Sequence, residues 1–199
     1  MSSFAPARGC LLRRLLGPVV DPAVFDFWLG LLNRSWTWDR PLARVLEGRV
    51  ESADAVTLVL KPNRHWRGFR AGQHLNIGAE IDGRRVTRSY SLSDRPRADG
   101  RIAITVKRVE GGKLSNHLCD RVREGEMLSI DAAYGDLHWP VAGEAVGLFL
   151  AAGSGITPLM SLTRAWVAAG APGALTLVYW ARSAEQLCFA QELQALAQA

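Results

Sequence analysis

Two glycine-containing segments of the chain could bind phosphate groups, and the first of them is AAGSGITPL. Gly153 and Gly155 lie between an apolar segment and a predicted helix, so the backbone there can turn tightly and approach a ligand closely. We expect Thr157 to cap this helix and Pro158 to be its first residue. The helix N-terminus would offer free N–H groups and positive dipole to a pyrophosphate. The pattern is G-x-G-x-x-P, and a plain strand-to-helix connection would explain it nearly as well.

The second segment is KRVEGGKLSNHL. Gly111 and Gly112 allow positive φ, so that consecutive N–H groups can form a concavity that binds an anion. Lys113 and the hydroxyl of Ser115 could add further donors. The alternative is a hairpin turn that leads into a short helix capped by Ser115.

A third polar segment, RVTRSYSLSD, ends a predicted strand. It places a cation at Arg88, an aromatic ring at Tyr90 and a hydroxyl at Ser91. By itself this segment indicates only a polar strand end, and its meaning depends on the elements around it.

The elements that would position these segments fall into two kinds. From 42 to 141 the chain has short candidate strands with β-branched residues and partial alternation, separated by turn sequences such as KPN and RADGR: LARVLEGRV, AVTLVL, QHLNIGA, RIAITVKRV and MLSIDAA. In RIAITVK, the side chains of Ile102, Ile104 and Val106 share one face. Several such strands predict a small closed antiparallel barrel, because closure removes exposed strand edges.

After Pro140 the pattern changes to continuous apolar strands that alternate with helices. This βαβα unit over 142–199 predicts a parallel sheet covered on both faces. The first 41 residues form an arm, with a short helix predicted after Pro22 and several tryptophans. The arm could pack on the next domain, or it could dock onto a membrane or a partner protein.

The charge is unevenly distributed around a net value of +5. Residues 61–123 contain fifteen Lys or Arg against six Asp or Glu, which leaves nine against thirteen in the remainder. A cationic region of this kind attracts polyanions such as nucleic acid, anionic lipid or a phosphorylated cofactor, although a solvated surface would also explain it.

The three cysteines predict neither disulfides nor a metal site. Cys10, Cys119 and Cys188 are far apart and do not form a C-x-x-C pair. The N-terminus lacks a signal-peptide pattern, and AVFDFWLGLL is too short to span a bilayer. We therefore expect a soluble protein in a reduced, cytoplasmic compartment.

Read in order, the motifs resemble those of the ferredoxin–NADP⁺ reductase superfamily. RSYSLS, GGKLSNHL, YGDLHWP, AAGSGITPLMSL and LVYWARS follow one another over roughly 40 to 190. The arm and the entry RPLARVLEG look most like the oxidoreductase partners of fatty-acid desaturases. The resemblance implies a flavin-binding barrel followed by a partial parallel-sheet, NAD(P)-binding domain.

The resemblance also assigns roles to residues of the barrel. Arg88 would bind the flavin phosphate, Tyr90 would lie against the isoalloxazine ring, and Ser91 would hydrogen-bond near N5. Tyr90 and Ser91 are therefore the candidate catalytic residues. FAD, rather than FMN, would be held through its pyrophosphate by the loop Gly111, Gly112, Lys113, Leu114 and Ser115.

In the second domain, the resemblance places NAD(P)H on the turn that contains Gly153, Gly155, Thr157 and Pro158. Arg182 follows the next strand and could meet a 2′-phosphate, which favours NADPH over NADH. Hydride would pass to FAD, and electrons would pass singly to ferredoxin or to a [2Fe–2S] domain, either on a missing C-terminus or on a separate chain. A membrane desaturase is a further candidate partner, which would place the protein at the membrane periphery.

The chain departs from this family after the second helix of the nucleotide domain. Further parallel strands, a Cys-Gly-Pro segment and a C-x4-C-x2-C iron–sulfur run are not found in the sequence. We therefore expect a partial nicotinamide domain with an uncovered sheet edge and apolar face.

Two other functions remain open at this stage. One is a flavin-binding fragment or interaction module without turnover. The other is a nucleic-acid-binding barrel, which we do not favour because its aromatic residues are poorly interleaved with the arginines.

Overall fold

A computed structural model describes residues 21–32, 35–139 and 146–198. Contacts between residues divide the chain at Arg40 into two compact units, which are described separately below. The predicted boundary between 141 and 142 lies outside the described residues, as does Cys10.

The N-terminal unit contains the predicted short helix, α1 (Pro22–Leu32). The side chain of Asp26 is buried and accepts hydrogen bonds from the Trp38 backbone N–H and from Arg40 Nε. The rings of Phe25 and Trp38 pack edge to face with centroids 4.6 Å apart. These contacts fold the segment after the helix back onto it. Within the described residues, no helix is both long and apolar enough to cross a membrane.

The larger unit begins with a six-stranded antiparallel sheet. Its strands are β1 (Leu42–Ser52), β2 (Ala55–Pro62), β3 (His74–Ile81), β4 (Arg84–Ser91), β5 (Ile102–Lys107) and β6 (Met127–Ile130). A helix, α2 (Lys113–Asp120), connects β5 to β6 and packs against β3, β4 and β5.

The sheet is barrel-like but not closed, which corrects the predicted closed barrel. Its strand order is β4-β3-β6-β1-β2-β5, so β4 and β5 are its two edges. At Leu92 the backbone passes from pairing beside β3 to pairing with β5. The Leu92 N–H donates to Gln73 O, and Leu92 also forms an isolated β-bridge with Ile104 of β5. Ser93 N then bonds to Ala103 O at 2.8 Å. The pairing stops after these two residues. Within the described residues, β4 and β5 therefore form no extended ladder of hydrogen bonds.

The barrel core contains the apolar face predicted on β5. Ile102, Ile104 and Val106 are almost completely buried with aliphatic residues of the other strands. The opposite face of β5 is also buried at Thr105. Thr105 Oγ1 lies 2.8 Å from Thr57 Oγ1 and donates to the Ser93 hydroxyl at 3.0 Å, so the buried hydroxyl is hydrogen-bonded. A hydrogen-bonded polar group can therefore occupy a second buried face of this strand.

The second part of this unit is a βαβα segment. It contains β7 (Val146–Ala152), α3 (Ile156–Ala168), β8 (Ala174–Trp180) and α4 (Ala190–Gln198). The two strands pair in parallel, as the sequence predicts.

One face of this parallel sheet packs and the other is exposed. Ala151 of β7 and Leu177 of β8 contact a core that includes Ile156 and Met160 of α3. On the other face Val146 is 84% exposed and Leu148 is 61% exposed. The expectation of a sheet covered on both faces is therefore wrong for the described residues, and the expectation of an uncovered apolar face is confirmed.

Candidate functional site

The RSYS segment lies at the end of β4, paired with β3. Ser91 pairs with His74, and Arg88 pairs with Ile77. The side chain of Arg88 is exposed and donates to the carbonyl of Thr87 at 2.8 Å. The alternation of the strand places Arg88 and Tyr90 on one face of the sheet. A cation and an aromatic ring are thus adjacent at this strand end.

Tyr90 is half-buried beside α2. The pKa of Tyr90 is raised to about 12, chiefly by burial and also by the nearby Cys119 thiol, while the Arg88 guanidinium acts to lower it. The phenol is therefore neutral at physiological pH, and its ring forms an uncharged surface next to a permanent cation.

The segment YGDLHWP reaches the same strand end. The Tyr134 hydroxyl donates to Asn76 Oδ1 at 3.0 Å and lies 3.2 Å from the Ser89 hydroxyl. Its ring packs edge to face on His74 with centroids 4.0 Å apart. The sequence analysis did not single out Tyr134, although the YGDLHWP motif contains it.

The loop before α2 has the backbone of an anion site. Gly111 has φ of +68°, and α2 begins at Lys113 with no side-chain cap. The first N–H groups of a helix have no partner within it, so they are free to bind an anion. A Cβ on Gly112 would lie 2.4 Å from the Ser115 hydroxyl oxygen, so a larger residue here would displace that hydroxyl. Ser115 lies in the first turn of the helix, so the alternative in which it caps α2 is wrong.

The side chains of this loop suit the binding of a pyrophosphate to different degrees. Lys113 is exposed, whereas Leu114 is buried in the barrel core and offers only its backbone. Ser115 makes only a long contact of 3.5 Å to the carbonyl of Gly112. Within the described residues, Asn116 Oδ1 is buried without a hydrogen-bond partner. The helix that this loop begins packs against β4, the strand that ends in RSYS. The residue types of the two segments, a cation, an aromatic ring and backbone N–H groups, fit the phosphates and ring of FAD.

The second glycine turn joins β7 to α3. Gly153 has φ of +52° and starts a short 3₁₀ turn, which continues through Gly155 directly into the helix at Ile156. Thr157 is therefore the second residue of the helix and not its cap, and Pro158 is the third and not the first. The reason is that Gly155 already has helical φ and ψ, while the Thr157 hydroxyl bonds back to Ser154 O at 2.9 Å.

Arg182 lies at the same edge of the sheet as this turn. Ala152 of β7 pairs with Trp180 of β8, so the carboxyl ends of both strands meet there. The Ser183 side chain hydrogen-bonds to the Glu185 carboxylate, and this bond lowers the pKa of that carboxyl. Arg182 is the residue at this edge with the charge to bind a further phosphate.

A cavity of about 370 Å³ lies elsewhere, among β1, the loop 94–97, α3 and α4. None of the predicted site residues lines it. The candidate flavin and nucleotide sites consist instead of backbone turns and strand ends.

Models of protein families match both parts of the larger unit. The oxidoreductase FAD-binding domain matches residues 43–139, and the oxidoreductase NAD-binding domain matches residues 149–199. The barrel and the turn-bearing sheet therefore define a class of protein that combines a flavin with a pyridine nucleotide.

Individual proteins agree with this class. The chain is 35% identical over 190 residues to an NADPH oxidoreductase of Mycobacterium tuberculosis, covering 94% of this chain and 50% of that protein. It is 30% identical to the FAD/NAD-binding domain of a nitric oxide dioxygenase from Vibrio cholerae, with a TM-score of 0.72, covering 80% of this chain and 70% of that one. Phthalate dioxygenase reductase is 25% identical with a TM-score of 0.65, covering 77% and 47%.

The chain belongs to the ferredoxin–NADP⁺ reductase superfamily. It spans about half the length of the curated relatives that it matches.

Proposed function

We propose that this chain is the flavin-binding module of an oxidoreductase that takes hydride from NAD(P)H and passes electrons singly to an iron–sulfur carrier. The observation that carries the proposal is the packing of α2, whose N-terminus has no side-chain cap, against β4, the strand that ends in RSYS. These two elements supply a cation, an aromatic face and free N–H groups, which are the groups that an FAD requires.

Each residue of the barrel site has a distinct task in this proposal. Arg88 binds a flavin phosphate, and Tyr90 provides the neutral surface for the ring. Ser91 supplies a hydroxyl at the ring edge where hydride arrives. The backbone from Gly111 to Ser115 binds the pyrophosphate. A bound flavin accepts a two-electron hydride from a reduced nicotinamide and can release the electrons one at a time.

The nucleotide would bind at the carboxyl edge of the parallel sheet. The backbone of Gly153 and Gly155 would approach its phosphates, and Thr157 and Pro158 lie in the helical turn that follows these glycines. Arg182 at the same edge binds a 2′-phosphate, which favours NADPH. The protein thereby orients two cofactors without an acid–base pair.

The electron acceptor in this proposal is a ferredoxin or a [2Fe–2S] domain. The structural relative phthalate dioxygenase reductase is described as transferring electrons from pyridine nucleotides to [2Fe–2S]. In this chain the cationic segment 61–123 would attract an acidic carrier by long-range electrostatics. We propose the domain limits 42–141 for the flavin part and 142–199 for the partial nucleotide part.

The test is a spectroscopic titration of the full chain. The chain is mixed with FAD, freed of excess flavin and then mixed anaerobically with NADPH. A bound flavin spectrum that bleaches rapidly supports the proposal. A stable flavin spectrum without bleaching identifies a flavin-binding module without turnover, and failure to retain FAD overturns the flavin assignment.

A second candidate function, peripheral attachment to a membrane from the cytoplasmic side, is favoured by α1. Phe27 and Trp28 are each 62% exposed and Leu32 is 77% exposed, whereas the charged Asp26 is buried. Aromatic and aliphatic side chains on one helix face are typical of interfacial helices. Co-sedimentation with anionic vesicles tests this, and a Trp28→Ser, Leu32→Ser variant that sediments as well as the parent would contradict it.

A further inference from the structure

We propose that Ser161 is a positioning residue, which holds the nucleotide turn at a fixed place relative to the flavin end of β4. The inference rests on the proposed function, because it concerns the distance between the two cofactors. It concerns a residue that contacts neither of the two candidate cofactor sites directly.

Ser161 joins three segments through a single hydroxyl. Its side chain is completely buried, and its Oγ donates to Asp94 O at 2.7 Å. The same oxygen accepts the Gly72 N–H at 3.4 Å. Asp94 follows Ser91 by three residues, and Gly72 precedes His74 by two. Ser161 therefore contacts both chain segments that flank the Ser91–His74 pair.

The other end of the same helix forms the nucleotide turn. Ser161 lies five residues after Ile156, the first residue of α3. At a rise of 1.5 Å per residue, the hydroxyl is about 8 Å along the axis from the helix start. A helix is stiff over this length, so fixing it at Ser161 also fixes the Gly153–Gly155 turn.

Arg164, one turn further along α3, binds the neighbouring carbonyl, that of Ser93. Its Nη1 donates to Ser93 O at 2.6 Å. Its Nε and Nη2 bind both carboxylate oxygens of Glu192 at 2.9 and 2.6 Å. Residues 161 and 164 share one helix face. That face thus binds two consecutive carbonyls of the segment that leaves β4.

The close approach depends on the backbone at Gly72. This residue has φ of +90°, and a Cβ there would lie 2.3 Å from the carbonyl oxygen of Leu137. The same Cβ would lie 3.3 Å from a methyl group of Leu162 on α3. Any larger residue would push α3 or the 137 segment away, so the glycine allows Ser161 to reach the barrel backbone.

Hydride transfer is sensitive to such placement. The reacting atoms must lie about 3–3.5 Å apart, and a displacement of about 1 Å can lower the rate by about 100-fold. The Ser161 hydroxyl has no place in the chemistry itself. Its loss should therefore change the rate within the bound complex and not the affinity for either cofactor.

The experiment compares four variants of the full chain loaded with FAD. The limiting rate of flavin reduction by NADPH is measured by anaerobic stopped-flow, together with the half-saturating NADPH concentration. We expect Ser161→Ala to lower the limiting rate about 10- to 100-fold with half-saturation changed less than about twofold. Ser161→Thr, which keeps the hydroxyl, should restore most of the rate.

The matched control is Thr163→Val. Thr163 is buried on the same helix, but among the described residues its hydroxyl bonds within the helix, to Leu159 O at 2.9 Å. The FAD bound to this variant should be reduced by NADPH at the same limiting rate as in the parent. If Ser161→Ala does not fold, Ser161→Cys keeps the volume with a weak donor and should give an intermediate rate.

The outcomes separate the two proposals. A parent chain that binds FAD but is not reduced by NADPH overturns the proposed function and the positioning role with it. A parent that is reduced while Ser161→Ala keeps the same limiting rate overturns the positioning role alone. A variant that loses affinity for FAD or NADPH at an unchanged limiting rate shows a merely structural serine and also overturns it.

Discussion

The barrel part and the βαβα part of the larger unit differ in how their apolar surfaces are covered. In the barrel, residues from all six strands and α2 surround one core, and Ile104 and Leu60 are completely buried. In the βαβα part, α3 and α4 both pack on one face of a two-stranded sheet. The other face carries Leu148 and Leu150, which are 61% and 59% exposed.

The smaller core is completed by a residue from the barrel. Ala55, the first residue of β2, is buried with Ile156, Met160 and Phe189. The hairpin that leads into β2 adds polar contacts, since Glu51 Oε1 accepts the Phe189 N–H at 3.1 Å. The βαβα part thus depends on the barrel, whereas within the described residues the fully buried members of the barrel core all lie between β1 and β6.

The largest expected effects on stability come from substitutions that leave a cavity in one of the two cores. Ile104→Ala should lower the free energy of unfolding of the whole chain by about 3–4 kcal/mol, because it removes a buried side chain and leaves a cavity. Met160→Ala should cost about 2–4 kcal/mol, but only in the βαβα part. Hydrogen–deuterium exchange resolved by peptide measures both. Global acceleration of exchange by Met160→Ala would contradict the one-way dependence.

Cofactor binding should separate the two parts in the same way. Arg88→Gln should weaken FAD binding about 10- to 100-fold, because a charge-assisted hydrogen bond contributes about 1.5–3 kcal/mol. Arg182→Gln should leave FAD binding unchanged and weaken NADPH binding about tenfold. Fluorescence titration measures both, with Arg84→Gln on the same strand as Arg88 as the control. Equal FAD affinity of the Arg88→Gln and Arg84→Gln variants would contradict the assignment of Arg88.

The smallest expected effect is a difference in alkaline stability between two tyrosines. The folded-state pKa of Tyr90, about 12, exceeds the ordinary value of 10.0. Above about pH 10 the unfolded chain releases a proton that the folded chain keeps, so this contribution to stability is lost as pH rises towards 12. Tyr90→Phe should therefore flatten the decline in stability over this range, as measured by urea unfolding.

Tyr179 in the βαβα part is the matched comparison. Burial raises its pKa as well, but its hydroxyl accepts the Cys188 N–H at 3.1 Å, which lowers it. Tyr179→Phe should flatten the alkaline decline less than Tyr90→Phe and should lose the bond to Cys188. A larger flattening by Tyr179→Phe would be inconsistent with the greater burial of Tyr90.

Local patterns predicted the elements, and long-range pairing decided the rest. Alternating and continuous apolar runs were sufficient to predict the antiparallel strands and the parallel pair, since each pattern reflects the burial of its own residues. The open barrel was not predictable, because it depends on where the backbone stops pairing beside β3 and begins to pair with β5, which happens at Leu92. The burial of Thr105 depends on Thr57 and Ser93, which are distant in sequence.

The candidate site divides in the same manner. The residue types of RSYS and GGKLS, read with the family resemblance, predict which segments would bind which groups, and this stays a prediction. That α2 packs against β4 is a property of the fold, which the sequence motifs do not contain. Ser161 was not predictable, because a serine inside a helical segment gives no sign that its hydroxyl reaches backbone atoms of Gly72 and Asp94.

The Ala55 contact also has a consequence for the order in which the chain matures during synthesis. The hairpin that supplies Ala55 leaves the ribosome long before β7, and domains tend to fold from the N-terminus as they are made. The two strands of the hairpin are close in sequence, so the hairpin can form early. When Ile156 and Phe189 emerge, they meet a surface that already exists. The barrel then acts as a template on which the later segment assembles.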